Sequence, residues 1–213
     1  MKNRIERDAV IIREARPDEL AEVGDLRVAA YVADGFLAET SAYAPRLRSL
    51  GSDGAGQVLV AVTDGAIVGT IMVRGGPDSG EIVQGPDEAE IRALAVAKQA
   101  QGHGVGRALL RAVIEQAARR GTRHLVLSTQ PDMRTAHRLY ERAGFRRLPE
   151  RDWTPQPDVD LIAYGLLLDH VGGSADAADL AGAADLADAA PLADAADSAG
   201  SAGSPGESAV DVA

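Results

Sequence analysis

Apolar residues recur along the chain with two periods, one typical of strands and one typical of helices. Short β-branched runs predict strands at residues 10–13, 57–62, 66–73, 89–96, 124–128, 145–147 and 160–167. Spacings of three and four, with Pro or acidic starts and Gly ends, predict helices at about residues 17–30, 41–50, 105–120 and 135–143. Strands and helices alternate through the second half, which predicts an α/β fold with some parallel strand pairing.

Local signals refine this pattern at three places. Asp64-Gly65 between two β-branched runs predicts a hairpin. Residues 31–37 are interpreted as irregular, and Trp153 is placed in a loop between Pro149 and Pro157. Strict alternation along the strand at 89–96 would divide its side chains between two faces: Ile91, Ala93 and Ala95 on one, and Arg92, Leu94 and Val96 on the other.

The composition changes after His170. Residues 171–213 consist mostly of Ala, Asp, Gly and Ser, with 8 acidic residues and no Lys or Arg. Such a segment buries too little apolar surface to offset its ordering entropy, so we expect a disordered acidic tail after a domain at 9–168. The alternative for the tail is a docking segment for a basic partner.

The net charge of −10 therefore belongs mostly to the tail, because the part before it carries −2. Neither part is basic, which argues against nucleic acid as a partner. The sequence shows no leader and no long apolar run, so we expect a cytoplasmic protein without a membrane partner. It has no Cys, and its four His are scattered, so no metal site is predicted.

A glycine-rich loop follows the strand at 89–96 and precedes the helix at 105. Gly102, Gly104 and Gly106 let the backbone bring its N–H groups close to an anion, next to the positive end of a helix dipole. A dinucleotide fingerprint would need Gly where Arg107 stands, and a Walker loop would need Gly-Lys-Ser/Thr. The loop therefore predicts a phosphate site of another kind.

The order Gln-x-x-Gly-x-Gly, opening a helix directly after a strand, resembles the coenzyme A pyrophosphate loop of the GNAT superfamily of N-acetyltransferases. Residues 136–145 are similar to the family motif Ala-x-x-Leu-Tyr-x-x-x-Gly-Phe, and residues 91–96 look like the strand before the loop. The match extends over about residues 9–168. It implies the GNAT fold, a central mixed and mostly antiparallel sheet flanked by helices.

The resemblance also implies an activity, the transfer of an acetyl group from acetyl-CoA to a primary amine of a small molecule or protein by direct attack. The pantetheine arm would bind backbone groups of Leu94, Ala95 and Val96 in a gap between two strands. The pyrophosphate would bind the loop, namely Gln101, Gly102, His103, Gly104, Val105, Gly106 and Arg107. No metal takes part, and a homodimer is compatible with the resemblance.

Two side chains are candidates for proton transfer under this resemblance. Tyr140 would protonate the leaving thiolate, and its alternative role is that of a core aromatic. Glu90 would act as the general base, with a solvated surface glutamate as its alternative. Ser128 stands where other members carry a carboxylate, and Met133 stands where the family often has Asn. Three arginines at helical spacing are expected to share a solvated face: Arg134, Arg138 and Arg142.

Two questions stay open at this level. Tyr31, Phe36, Tyr43 and Trp153 either line the acceptor pocket or only pack in the core. The alternative function is a catalytically weak acyl-CoA-binding regulatory module, in which Met133 and Ser128 reflect lost turnover.

Overall fold

The centre of the protein is an eight-stranded sheet in a computed structural model that describes residues 10–75, 82–156 and 159–168. The strands are β1 Ile11–Glu14, β2 Gln57–Thr63, β3 Ala66–Gly75, β4 Glu88–Val96, β5 His124–Thr129, β6 Arg146–Arg147, β7 Trp153–Gln156 and β8 Val159–Leu167. The helices are α1 Leu20–Ala33, α2 Ala44–Ser49, α3 Val105–Arg119 and α4 Arg134–Arg142, with short 3-10 helices at Pro17–Glu19, Lys98–Ala100 and Pro149–Arg151.

The strand order is β1-β2-β3-β4-β5-β8-β6, with β7 paired to β8. Among the described strand pairs, β4–β5 is parallel and the others are antiparallel. The predicted fold class is therefore confirmed. The hairpin prediction is confirmed as well, because Asp64 and Gly65 join β2 to β3 with φ of 51° and 78°, as a tight hairpin requires.

The first helix is longer than its sequence pattern predicts. The prediction that residues 31–37 are irregular is wrong for their first part, because α1 continues to Ala33. Tyr31 lies on the buried face of this helix, so packing outweighs the modest helix propensity of an aromatic side chain. Gly35, at φ of 78°, then ends the helical path.

Strand β7 was not predicted from the sequence, so the assignment of Trp153 to a loop is wrong. The prolines around it argue against a central strand, but β7 lies outside the main strand order and pairs with β8. Pro155 falls within this strand, which an edge position tolerates because the missing N–H need not reach a neighbour.

Helices cover both faces of the sheet. Leu109 of α3 packs in the larger core cluster with Ile71 of β3. Val23 of α1 packs with Val60 and Met72 on the opposite face. The core therefore has two layers, and the sheet separates α3 from the N-terminal part of α1.

One close approach places α3 on β3. A Cβ atom added to Gly69 would lie 2.9 Å from Val105 Cγ1 and 3.1 Å from Leu109 Cδ1. Gly69 is also the partner of Val96, the last residue of β4. The glycine thus lets the first turn of α3 pack next to the end of β4.

The described part of the chain contains no helix long and apolar enough to cross a membrane. The predicted acidic tail at residues 171–213 lies outside the described residues.

Candidate active site

The two central parallel strands pair only over their first halves. Strand β4 runs beside β5 from Glu88–His124 to Ile91–Leu127, and the described pairing ends there. From Arg92 to Val96, β4 keeps its pairing with β3 on the other side. The edge of β4 that faces away from β3 therefore has backbone groups available to an extended ligand beyond Ile91.

A bulge in β4 lies at this point. Ala93 has a left-handed backbone with φ of 49°. Arg92 pairs with Met72 and Ala95 with Thr70, so β4 has one more residue than β3 between these two pairs. Ala95 consequently shares a face with Arg92, and Val96 shares the opposite face with Ile91. The alternation predicted for this strand is wrong beyond Ala93, because a left-handed alanine gives no signal in the sequence.

The glycine loop has the geometry of an anion site. Gly102 and Gly104 adopt left-handed backbones with φ of 76° and 81°. Gly104 is the N-cap of α3, and no side chain caps this helix end. The Val105 side chain is buried in the core, so its backbone is the part that faces the loop. The N–H groups of the first turn are thus available to a phosphate.

Side chains hold this loop against the end of α1. Gln101 Nε2 donates to Asp34 Oδ2 at 2.9 Å, and Lys98 Nζ lies 2.7 Å from Asp34 Oδ1. His103 is exposed and donates from Nδ1 to the Gln101 carbonyl at 2.7 Å. Arg107 Nη2 lies 3.7 Å from the position of a Cβ on Gly104, so a cation stands beside the glycines.

Tyr140 lies on α4 and is fully buried. Its ring centroid is 5.9 Å from that of Phe145 and 6.2 Å from that of Tyr164. Burial raises the pKa of Tyr31 well above its usual value, and Tyr43 and Tyr140 add to this effect. The three phenols therefore belong to one buried group that connects α1 and the start of α2 with α4.

Glu90 is fully buried, so the surface alternative for this residue is wrong. Its Oε2 lies 3.9 Å from Nε of Arg92, which is 2% exposed. Arg92 pairs with Met72 of β3 and Glu90 pairs with Arg74, so both side chains lie on the same face of β4. Sequence alone suggests exposure for two charged residues in a strand, because their burial depends on the helices packed against this face.

Arg27 was not predicted as a site residue. It lies on α1, is 0% exposed, and donates from Nη1 to the Leu50 carbonyl at 2.6 Å. Tyr31 and Tyr43 act electrostatically on its guanidinium, so it belongs to the same buried group. A signal was present in the sequence, because Arg27 falls at helical spacing with the buried residues Val23 and Tyr31.

Ser128 and Met133, which the sequence analysis singled out, are both buried. Ser128 is buried on β5 and accepts a hydrogen bond from Trp153 Nε1 at 3.1 Å, which ties β7 to the strand that leaves β4. Met133 is buried before α4 and receives the Thr129 hydroxyl at 3.4 Å from its sulfur. Met133 therefore packs in the core of the protein.

The three arginines of α4, namely Arg134, Arg138 and Arg142, are exposed as predicted. Within the described ranges, no three His, Asp or Glu side chains come together as metal ligands would.

The chain is similar to known acetyltransferases in sequence. The profile of the Acetyltransferase (GNAT) family matches residues 21–145. N-acetylaspartate synthetase of Danio rerio is 34% identical over 93 residues, which cover 44% of this chain and 30% of that protein. Mycothiol acetyltransferase of Cellulomonas flavigena is 35% identical over 115 residues, which cover 53% of this chain and 33% of that protein. The matches thus span about a third of each curated relative.

Solved structures agree in fold. The ribosomal-protein-S18-alanine N-acetyltransferase from Escherichia coli aligns with a TM-score of 0.59 at 20% identity, covering 79% of this chain and 99% of that one. The structure of yncA from Salmonella typhimurium with acetyl-CoA aligns with a TM-score of 0.56 at 22% identity, over 79% and 99%. Because the family profile extends from α1 through α4 to Phe145 and takes in the glycine loop, the chain belongs to the GNAT family of acetyltransferases.

Proposed function

We propose that this protein transfers the acetyl group of acetyl-CoA to a primary amine of a small molecule or protein by direct attack. The observation that carries the proposal is the end of β4–β5 pairing at Ile91–Leu127, on the strand that leads through the glycine loop to α3, whose N-cap Gly104 offers no side-chain cap. An open strand edge suits an extended pantetheine arm, and the helix end suits its pyrophosphate. The names of the matched relatives, which include an N-acetylaspartate synthetase and a mycothiol acetyltransferase, support the same reaction class.

Acetyl-CoA supplies a thioester, whose carbonyl carbon the amine attacks and whose thiolate then leaves. Backbone groups of Leu94, Ala95 and Val96 hold the arm, and a backbone N–H beside the bulge polarises the thioester carbonyl. Gln101 through Arg107 hold the pyrophosphate, and no metal takes part in the reaction.

Two buried side chains move the protons. Glu90 accepts the proton that the attacking amine loses, either directly or through one water molecule. Tyr140 donates its phenolic proton to the departing sulfur, so that the products are an N-acetyl amine and free coenzyme A. The amine thus loses its proton to Glu90, and the thiolate gains its proton from Tyr140.

The test is the release of free coenzyme thiol from acetyl-CoA in the presence of a panel of small amines and amino-terminal peptides. We expect thiol release that depends on the amine and equals the N-acetyl product found by mass spectrometry. Reactions without amine serve as the control. If acetyl-CoA binds and no amine releases thiol, the proposal is wrong and the protein is an acyl-CoA-binding regulatory module.

A further inference from the structure

A buried cation on α1 has donors that the protein does not use. Arg27 is 0% exposed, and its Nη1 donates to the Leu50 carbonyl at 2.6 Å. Its Nε and Nη2 have no hydrogen-bond partner among the described residues. Buried polar groups are almost always satisfied, and an unsatisfied group in a native structure points to a ligand, an ordered water molecule or strain.

Arg27 has no counter-ion among the described residues. In the described part of the chain, the buried charged side chains are Glu19, Arg27, Glu90 and Arg92. Glu19 pairs with Arg13 at 2.6 Å beside β1, and Glu90 lies 3.9 Å from Arg92. No described carboxylate forms an ion pair with Arg27. Arg27 is thus a buried cation in a place where ions are costly without a counter-ion.

The guanidinium stays charged in this place. Burial lowers the pKa of Arg27 to about 10, and the Tyr31 and Tyr43 phenols oppose that effect. At neutral pH the side chain is therefore a cation with two neighbouring N–H groups available. The Nε and Nη2 edge of an arginine matches the two oxygens of a carboxylate in a bidentate pair.

The position of Arg27 connects it with the proposed chemistry. Tyr31 and Tyr140 belong to one core cluster, against which Tyr43 packs, and Arg27 lies one helical turn before Tyr31 on α1. Tyr43 is the half-buried member of this group. An acceptor that enters beside Tyr43 would meet Arg27 within the same group as Tyr140.

We infer that the acceptor amine is a small amino acid whose carboxylate binds Nε and Nη2 of Arg27. This inference rests on the proposed function and adds the class of acceptor to it. The carboxylate supplies the counter-ion that Arg27 lacks among the described residues. A protein N-terminus has an amide in place of this carboxylate and would leave the cation unpaired.

The test compares free amino acids with the matching amino acid amides, which have the same side chain and no carboxylate. We expect kcat/KM to favour the acid over its amide on the order of 10²-fold for the preferred side chain, as for a charge-assisted bidentate pair. Arg27→Met should reduce this preference to less than about 10-fold, and Arg27→Lys should retain more of it than Arg27→Met. Arg48→Met is the control, because Arg48 is an exposed arginine on the neighbouring helix α2 that pairs with Asp25 of α1.

The wild-type measurement decides the inference even if Arg27→Met does not fold. Amides that react as well as their acids, or peptides that react better than both, would overturn it while leaving the acetyltransferase proposal intact. An unchanged acid preference in folded Arg27→Met would also overturn it. Bound acetyl-CoA with no thiol release from acids, amides or peptides would overturn the proposed function itself.

Discussion

Tyr140 is fully buried and its ring packs beside the rings of Phe145 and Tyr164, so a variant that keeps the ring tests the hydroxyl alone. Tyr140→Phe keeps the ring contacts with Phe145 and Tyr164 and removes the proton. We expect acetyl-CoA affinity close to wild type and turnover lower by ~10²-fold, the scale of a positioned general acid. Isothermal titration and steady-state thiol release measure the two quantities.

Tyr164→Phe is the control for this variant. Tyr164 is also buried in the same aromatic group, and its hydroxyl donates to Glu141 at 3.4 Å. We expect its turnover to stay near that of wild type. Equal turnover in Tyr140→Phe and wild type would remove Tyr140 from the mechanism and leave it the role of a core aromatic.

Glu88, at the start of β4, is the centre of an ionic bridge away from the proposed reaction. Arg151 Nη2 lies 2.8 Å from its Oε1, and the Gln84 backbone N–H donates to its Oε2 at 2.6 Å. Burial raises the pKa of Glu88, but the hydrogen bonds from Arg151, Gln84 and His124 outweigh this effect and lower it to about 2. The bridge therefore stabilises the folded state at all pH values above the ordinary glutamate range.

We expect Glu88→Gln to lower the free energy of unfolding by about 2 kcal/mol at pH 7. The folded-state pKa is depressed, so this contribution is present above about pH 4.5 and is lost as pH falls towards 2. Chemical denaturation at pH 7 and below pH 3 should thus show a difference between the two proteins that shrinks with acidity. Glu115→Gln, in an exposed pair with Arg111 at 3.5 Å, should differ from wild type by less than about 0.5 kcal/mol at either pH. A constant difference for Glu88→Gln would contradict the assignment.

At the scale of an element, the effect of Gly104 on ligand binding can be distinguished from the effect of its left-handed backbone on stability. Gly104 and Gly121 both have φ of 81°, one before α3 and one after it. Alanine at either position should cost a similar amount of stability, about 1–2 kcal/mol. Only Gly104→Ala places a methyl group where the pyrophosphate approaches, so we expect it to weaken acetyl-CoA binding by roughly 10-fold or more.

Binding and unfolding measurements on both variants check this expectation. Gly121→Ala is the matched control, because a Cβ there would meet nothing within 4 Å. If the two variants bind acetyl-CoA equally well, the loop is not the pyrophosphate site.

Elements with a strong local pattern could be predicted from the sequence, and those shaped by tertiary packing could not. Asp64-Gly65 and the apolar spacing of α3 determine their own geometry, and both predictions are confirmed. The left-handed backbone of Ala93 lies where β4 keeps its pairing with β3 and ends its pairing with β5, and an alanine in the sequence gives no sign of this. The burial of Glu90 and the strand at Trp153 likewise depend on distant parts of the chain.

The residues of the candidate site likewise divide into those with a local sequence motif and those whose position depends on tertiary packing. The glycine loop and Tyr140 were identified from motifs that are contiguous in sequence. Arg27, which we propose as an acceptor-binding residue, was not among the candidates from the sequence, although its spacing with Val23 and Tyr31 on α1 places it on the buried face. A charged residue at such a spacing is a signal that can be sought in other sequences.

At the scale of the whole molecule, the predicted acidic tail and the predicted domain before it can be tested as separate parts. Residues 171–213 carry 8 acidic residues and no Lys or Arg. We expect a chain that ends at His170 to keep its thiol-release rate and its unfolding temperature within experimental error, because the tail has few apolar residues with which to pack. Loss of either property would show that the tail contributes to the domain.

The end of strand pairing at Ile91–Leu127 has a thermodynamic consequence. On the proposed function, the coenzyme arm takes the place of a strand, so the sheet is complete only when the donor is bound. A ligand that binds the folded state alone stabilises it by about 2.7 kcal/mol at a hundred times its dissociation constant. The unfolded fraction of this protein would then fall as the acetyl-CoA concentration rises, so the lifetime and the amount of the protein would follow the acetyl-CoA concentration.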